Sequence, residues 1–123
     1  KQCDFFAKYP EYFYNPLETA GCKTAWLAFP LLIKESAPFT RKDMQIFLEK
    51  RNIQTRVVFT GNILRQPMTR GVTLRVQDGG YPNADRIMEW GILLPVHHGL
   101  TESMFERFQS TIEEFISSFN QVI

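Results

Sequence analysis

The sequence predicts a two-layer α/β (α+β) sandwich, a small mixed or antiparallel sheet with helices packed over one face. Three observations carry this reading. Apolar runs of strand length stand at residues 25–34 and 91–96. A 3.6-residue stripe of Met104, Phe105, Phe108, Ile112, Phe115, Ile116 and Phe119 marks a long amphipathic helix. Helical and strand patterns alternate, with no internal repeat, low-complexity tract or long linker between them.

Taken in order, residues 2–14 hold six aromatics, and Phe5, Tyr9, Tyr12 and Phe13 share one helical face. Packing of a linker helix against a core explains them better than a ligand-stacking box, and Pro10 kinks that helix or opens its second half. Asn15-Pro16 ends it, and residues 19–24 read as a loop. Residues 25–34 suit a buried central strand, with Pro30 marking a bulge or an edge. Thr40 caps the next helix, with Asp43 three residues on, Met44, Phe47 and Leu48 facing inward and Asn52 as its stop. A strand follows at about 54–59.

Residues 72–76 read as a short strand or extended loop, and Asp78-Gly79-Gly80 as a turn. A short helix opens at residues 81–85 and carries Ile87, Met88 and Trp90 inward. The strand at 91–96 turns at His97-His98-Gly99, and Thr101 caps the last helix, with Glu102 set toward its N-terminal dipole.

The 123 residues suffice for one domain with a real core. The reading is a single domain over 1–123, with a linker helix and loop at 1–24 and a small domain at 25–123. A net charge of +1 gives no global field toward nucleic acid or anionic membrane. No apolar run approaches the ~18 residues of a membrane span, and no signal-peptide pattern opens the sequence. Cys3 and Cys22 fit no metal or redox spacing and suit a reducing, cytoplasmic setting. Lys1 in place of Met, with eleven phenylalanines, is the expectation for a fragment cut from a larger chain, its aromatics facing an absent domain, though a processed or trimmed chain also lacks Met.

Catalytic patterns are sparse. Adjacent His97 and His98 point to opposite faces of an extended segment and lack companion ligands. Ser103, His97 and Asp85 make a triad only on paper, without a nucleophile elbow. No phosphate-cradling glycine loop occurs, and no lysine stands out for a Schiff base.

The distinctive stretch is residues 55–67, Thr-Arg-Val-Val-Phe-Thr-Gly-Asn-Ile-Leu-Arg-Gln-Pro. From 55 to 77 there are four arginines (Arg56, Arg65, Arg70, Arg75) and no Asp, Glu or Lys. Arginine suits planar, bidentate recognition of phosphate, and a Gly-Asn turn lets backbone approach a ligand. A solvated segment that happens to lack acids is the plain alternative.

Several segments together carry a family resemblance. Thr55-Arg56 with residues 61–67 (Gly-Asn-Ile-Leu-Arg-Gln-Pro), residues 81–86 (Tyr-Pro-Asn-Ala-Asp-Arg) and residues 93–102 (Leu-Leu-Pro-Val-His-His-Gly-Leu-Thr-Glu) resemble the C-terminal part of the pyridoxal-phosphate-dependent nucleotide-sugar enzymes of the DegT/DnrJ/EryC1/StrS family. Residues 37–41 (Ala-Pro-Phe-Thr-Arg) and the Gly-Asn-x-x-Arg-Gln-Pro form look most like its CDP-4-keto-6-deoxyglucose 3-dehydrase branch, associated with lipopolysaccharide dideoxysugar synthesis. The resemblance runs from about residue 9 to 115, with its motifs in order.

The resemblance implies the small domain of a fold-type I enzyme about three times longer, whose large domain carries the PLP/PMP pocket, the Schiff-base position and any [2Fe-2S] cysteines. This domain alone would then bind no cofactor and show no activity. Arg56, Gly61, Asn62 and Arg65 are carried over as substrate-binding positions, an arginine pairing with the diphosphate of a CDP-sugar. The implied partners are that nucleotide sugar, the large domain of the same chain and, for the longer enzyme, a second copy in a homodimer. Nucleic acid and membrane are not expected. A sugar aminotransferase of the same family, a free-standing anion- or RNA-binding module and a ligandless dimerisation fragment are the competing readings. Phe59 is the one aromatic among the arginines, which counts against RNA.

Overall fold

A computed structural model describes residues 1–120. Its elements are α1 (Gln2–Phe6), β1 (Phe13–Tyr14), β2 (Phe29–Ile33), α2 (Arg41–Glu49), β3 (Arg56–Val57), α3 (Pro82–Trp90), β4 (Gly91–Leu94) and α4 (Glu102–Asn120). Two 3₁₀ turns, Ile63–Arg65 and Pro67–Thr69, lie between β3 and α3. The sheet runs β1-β2-β4-β3 and every pairing is antiparallel. The α/β sandwich read from the sequence is the fold of the chain, and its sheet is antiparallel throughout. Among the described residues no helix is long and apolar enough to cross a membrane.

The central register sets Phe29 opposite Leu94 and Leu31 opposite Ile92. Alternation along the pleat sends Phe29, Leu31 and Ile33 into the core with Ile92 and Leu94. Residues 25–28, expected as strand, lie outside β2 because four-residue β4 gives them no partner; Leu27 is 91% exposed. Pro30 tolerates its place because β1 pairs only with Leu32 and Ile33, leaving the proline unflanked on that side. The strand expected over 54–59 shortens to Arg56–Val57, since Phe59 turns left-handed at φ 48° and ends the extension. Residues 72–76 form no strand.

The helical layer follows its apolar spacing. In α2 the Thr40 hydroxyl accepts from the Asp43 amide at 3.2 Å, while Asp43 accepts from the Thr40 amide at 2.8 Å. This reciprocal cap satisfies two orphan donors and fixes where the helix starts. Met44 and Leu48 are fully buried, and Asn52, left-handed at φ 57°, stops the chain after it. Phe108, Thr111, Ile112, Phe115 and Ile116 are the buried stripe of α4. Met104, at its first turn, is half exposed beyond the sheet.

Two expectations are corrected. The N-terminal aromatics form no continuous helix: α1 ends at Phe6, and Phe13 enters the sheet opposite Ile33. Nor do the phenylalanines as a group wait for an absent domain: ten of the eleven are covered within this one. Seven are buried and three half-buried, and all of these but Phe105 join one aromatic network that includes Phe39–Phe115 at 4.8 Å and Phe6–Phe13 at 5.2 Å between ring centroids. Only Phe59 is exposed, so packing within the domain accounts for the phenylalanine content.

Candidate functional site

The arginine-rich stretch meets α3 through a set of fixed contacts. The Gly61 amide donates to Val58 O at 3.0 Å, and the glycine sits at φ 60°. A Cβ there would lie 2.3 Å from Met88 Cβ, so the backbone rests directly on the helix. Asn62 is 3% exposed. Its Oδ1 accepts from the Leu64 amide at 3.0 Å, capping the first 3₁₀ turn, and its Nδ2 donates to Asp85 Oδ1 at 2.8 Å. Gln66 Nε2 closes the loop by donating to Thr60 O at 2.8 Å.

Arg65 completes this cluster. Its Nε and Nη2 donate to Asp85 Oδ1 and Oδ2, both at 3.0 Å. The Arg65 hydrogen bonds first, and that from Asn62 second, hold the Asp85 carboxyl below the usual carboxylate range. For Arg65 alone among the four arginines of residues 55–77, α3 thus supplies a counter-charge among the described residues. The sequence set Asp85 at a helix start and in a triad on paper, not with Arg65, because that partner lies twenty residues away. Ile87, expected inward, is exposed: the face of α3 carrying Asp85 and Met88 packs on this loop.

Arg56 points elsewhere. It lies on edge strand β3, exposed and without an ion pair among the described residues. It borders an open cavity of about 440 Å³ between the end of β4 and the start of α4, with Arg107, His97, Gln2, Leu27 and Phe105. No acidic residue and no lysine lines it. Arg107 is braced by donating from Nη2 to Arg51 O at 2.7 Å. Gln2 donates from Nε2 to Pro95 O at 2.8 Å, leaving its buried Oε1 without a partner among the described residues. Two arginines on a lining without carboxylates favour an anionic guest.

Sequence reasoning missed Arg107 and Gln2. Arg107 could have been found beside Phe108 in the helical stripe, but nothing local to Gln2 marks it. His97, read as a turn residue, accepts at Nδ1 from the Gly99 amide at 3.1 Å. The paper triad does not assemble, since Ser103 pairs with Thr101 and Asp85 with Arg65 and Asn62. Cys3 and Cys22 are free and exposed, and no metal-holding group occurs among the described residues.

A family model for the DegT/DnrJ/EryC1/StrS aminotransferase family matches residues 4–113. The chain belongs to that family. Lipopolysaccharide biosynthesis protein RfbH of Salmonella typhimurium is 34% identical over 105 residues, 85% of this chain and 24% of the relative. The dTDP-4-dehydro-2,6-dideoxy-D-glucose 3-dehydratase of Saccharopolyspora spinosa is 34% identical over 102 residues, 83% of this chain and 22% of that protein. In structure, this DegT/DnrJ/EryC1/StrS domain superposes on the E. coli GDP-4-keto-6-deoxy-D-mannose-3-dehydratase with bound hydrated PLP. The TM-score is 0.73 at 23% identity, over 92% of this chain and 27% of the other. The chain spans about a quarter of the length of these relatives.

Membership implies PLP, and the cavity can be tested for fit. PLP chemistry calls for a carboxylate against the pyridine nitrogen. The lining holds none, so the cavity by itself does not fit the cofactor.

Proposed function

We propose that this domain works as the small C-terminal domain of a PLP/PMP-dependent nucleotide-sugar 3-dehydrase in lipopolysaccharide O-antigen dideoxysugar synthesis. It positions substrate and is inactive alone. The reading is supported by family membership and by the relatives themselves, one a lipopolysaccharide biosynthesis protein and two 3-dehydratases. One observation of this chain carries it furthest: among the described residues the Arg56 guanidinium makes no ion pair and the cavity it borders has no acidic lining.

Arg56 takes the diphosphate of the nucleotide sugar, a CDP-sugar by the resemblance, in charge-assisted hydrogen bonds. The Gly61–Asn62 turn approaches the sugar or cofactor through its backbone, since the Asn62 side chain is already engaged. Arg65, held by Asp85, presents a fixed positive edge with its exposed face. Chemistry at the sugar belongs to the cofactor and the large domain of a cytoplasmic homodimer, while this domain orients the substrate and closes over it.

The experiment is nucleotide-sugar titration of the family-length polypeptide with Arg56→Ala and Arg65→Ala. Arg56→Ala is expected to weaken binding by roughly tenfold or more, the loss of one charge-assisted contact. Retention of full affinity by both variants would overturn the phosphate-clamp reading. A sugar aminotransferase is the second reading, favoured by the aminotransferase description of the family. A lysine at the Schiff-base position of the longer protein selects it, and a histidine selects the dehydrase.

A further inference from the structure

Phe59 combines two features that no contact among the described residues explains. Its backbone is left-handed at φ 48°, a genuine outlier for a bulky side chain. Its ring is 79% exposed, and no other phenylalanine is exposed. The segment that follows is not slack. Gly61 lies against Met88, Asn62 is tied to Asp85, and Gln66 is tied to Thr60. Strain therefore persists at a rigidly held turn whose visible result is an aromatic ring presented outward. Met68 and Val72 are exposed on the same loop, and Arg56, Arg70 and Arg75 make no ion pair among the described residues.

We propose that Phe59 is the preorganised anchor of a docking surface whose occupant is an acid-rimmed apolar pocket on the remaining polypeptide of a family-length chain. The inference rests on the reading that this domain serves within a longer enzyme. Relative length supports the occupant: the region matched here is 24% of one relative, leaving most of that protein to provide a facing surface. Charge supports it as well. A second copy meeting this loop across a two-fold axis would oppose two segments whose only charges are arginines, with repulsion and no compensating acid. An acidic rim pairs with Arg70 and Arg75, leaving Arg56 to the substrate, and an apolar centre takes the ring. Aromatic and arginine side chains are the usual dominant contacts of such a surface, and rigid presentation lowers the entropy lost on docking.

Amide hydrogen exchange over residues 57–76 tests this, comparing the 123-residue chain with the family-length polypeptide. Exchange is expected to slow by roughly tenfold or more in the longer polypeptide. Phe59→Gly should abolish that protection while raising the denaturation midpoint of the 123-residue chain, because glycine relieves the left-handed strain and leaves the core untouched. Leu17→Ser, which removes an exposed apolar group outside the loop, should change neither. Equal exchange in both polypeptides, or full protection in Phe59→Gly, overturns the proposal. Protection of the shorter chain that rises with its own concentration reassigns the surface to a second copy. Protection induced by anionic phospholipid vesicles reassigns it to a membrane. Failure of the nucleotide-sugar reading leaves the exchange result unaffected, so the two can fail separately.

Discussion

Arg65 and Asp85 form a two-pronged ion pair, Nε to Oδ1 and Nη2 to Oδ2, each at 3.0 Å. Asp85 Oδ1 also accepts from buried Asn62, so one carboxylate joins the arginine loop to α3. The geometry makes Arg65 a fixed part of the loop, whereas Arg56 is left open to an external anion.

This pair has a pH signature. The Asp85 carboxyl is held low chiefly by Arg65, and that of Asp43 by its hydrogen bonds with Thr40. Both folded values are depressed, so their stabilisation is present above the unfolded carboxylate value of ~3.9 and is lost as pH falls through the folded values. Urea midpoints followed from neutral pH to below ~3.9 should fall in acid, and Asp85→Asn and Thr40→Ala should each flatten that fall. Added salt should weaken the Asp85 contribution, because the pair is solvent-exposed. The cap itself predicts a loss of about 1 kcal/mol at neutral pH for Thr40→Ala.

Gly61→Ala tests how closely the loop rests on α3. The new Cβ meets Met88 at 2.3 Å in a left-handed backbone, and two strains add. A destabilisation of about 3 kcal/mol is expected from overpacking and the positive φ together. Asn62→Ala should cost about 2 kcal/mol by removing two hydrogen bonds from a buried site. Denaturant unfolding measures both, and wild-type midpoints would show that the loop is not pinned there.

Phe115→Ala probes the aromatic network. Its ring meets Phe39, Phe47 and Phe119 within 5.2 Å between centroids and is almost fully buried. Truncation should destabilise by about 4 kcal/mol, transfer and cavity terms combined. Thermal unfolding reads this directly.

Sequence periodicity made much of the frame legible because it is a local property. The α4 stripe repeats every 3.6 residues within one segment, and the Thr40–Asp43 cap needs only four. The strands at β2, β3 and β4 were legible too, but their lengths were not, and β1 was read as helix. Residues 25–28 stay unpaired because of how far β4 extends, and that is settled sixty residues later in the chain. The aromatic content was visible, but its burial was not, because contacts such as Phe39–Phe115 join distant segments.

By itself, the sequence determined the alternation of helices and strands, the capped α2, the long α4, the arginine-only character of residues 55–77 and the motifs of the family. Tertiary structure alone decided which arginine was already paired. It set Asp85 against Arg65, gathered Arg56, Arg107 and Gln2 around one cavity, and left Phe59 outside the core. The physical reason is range. Periodicity and capping act within a few residues, whereas ion pairing and cavity shape depend on how separated segments are brought together by burying the core they share.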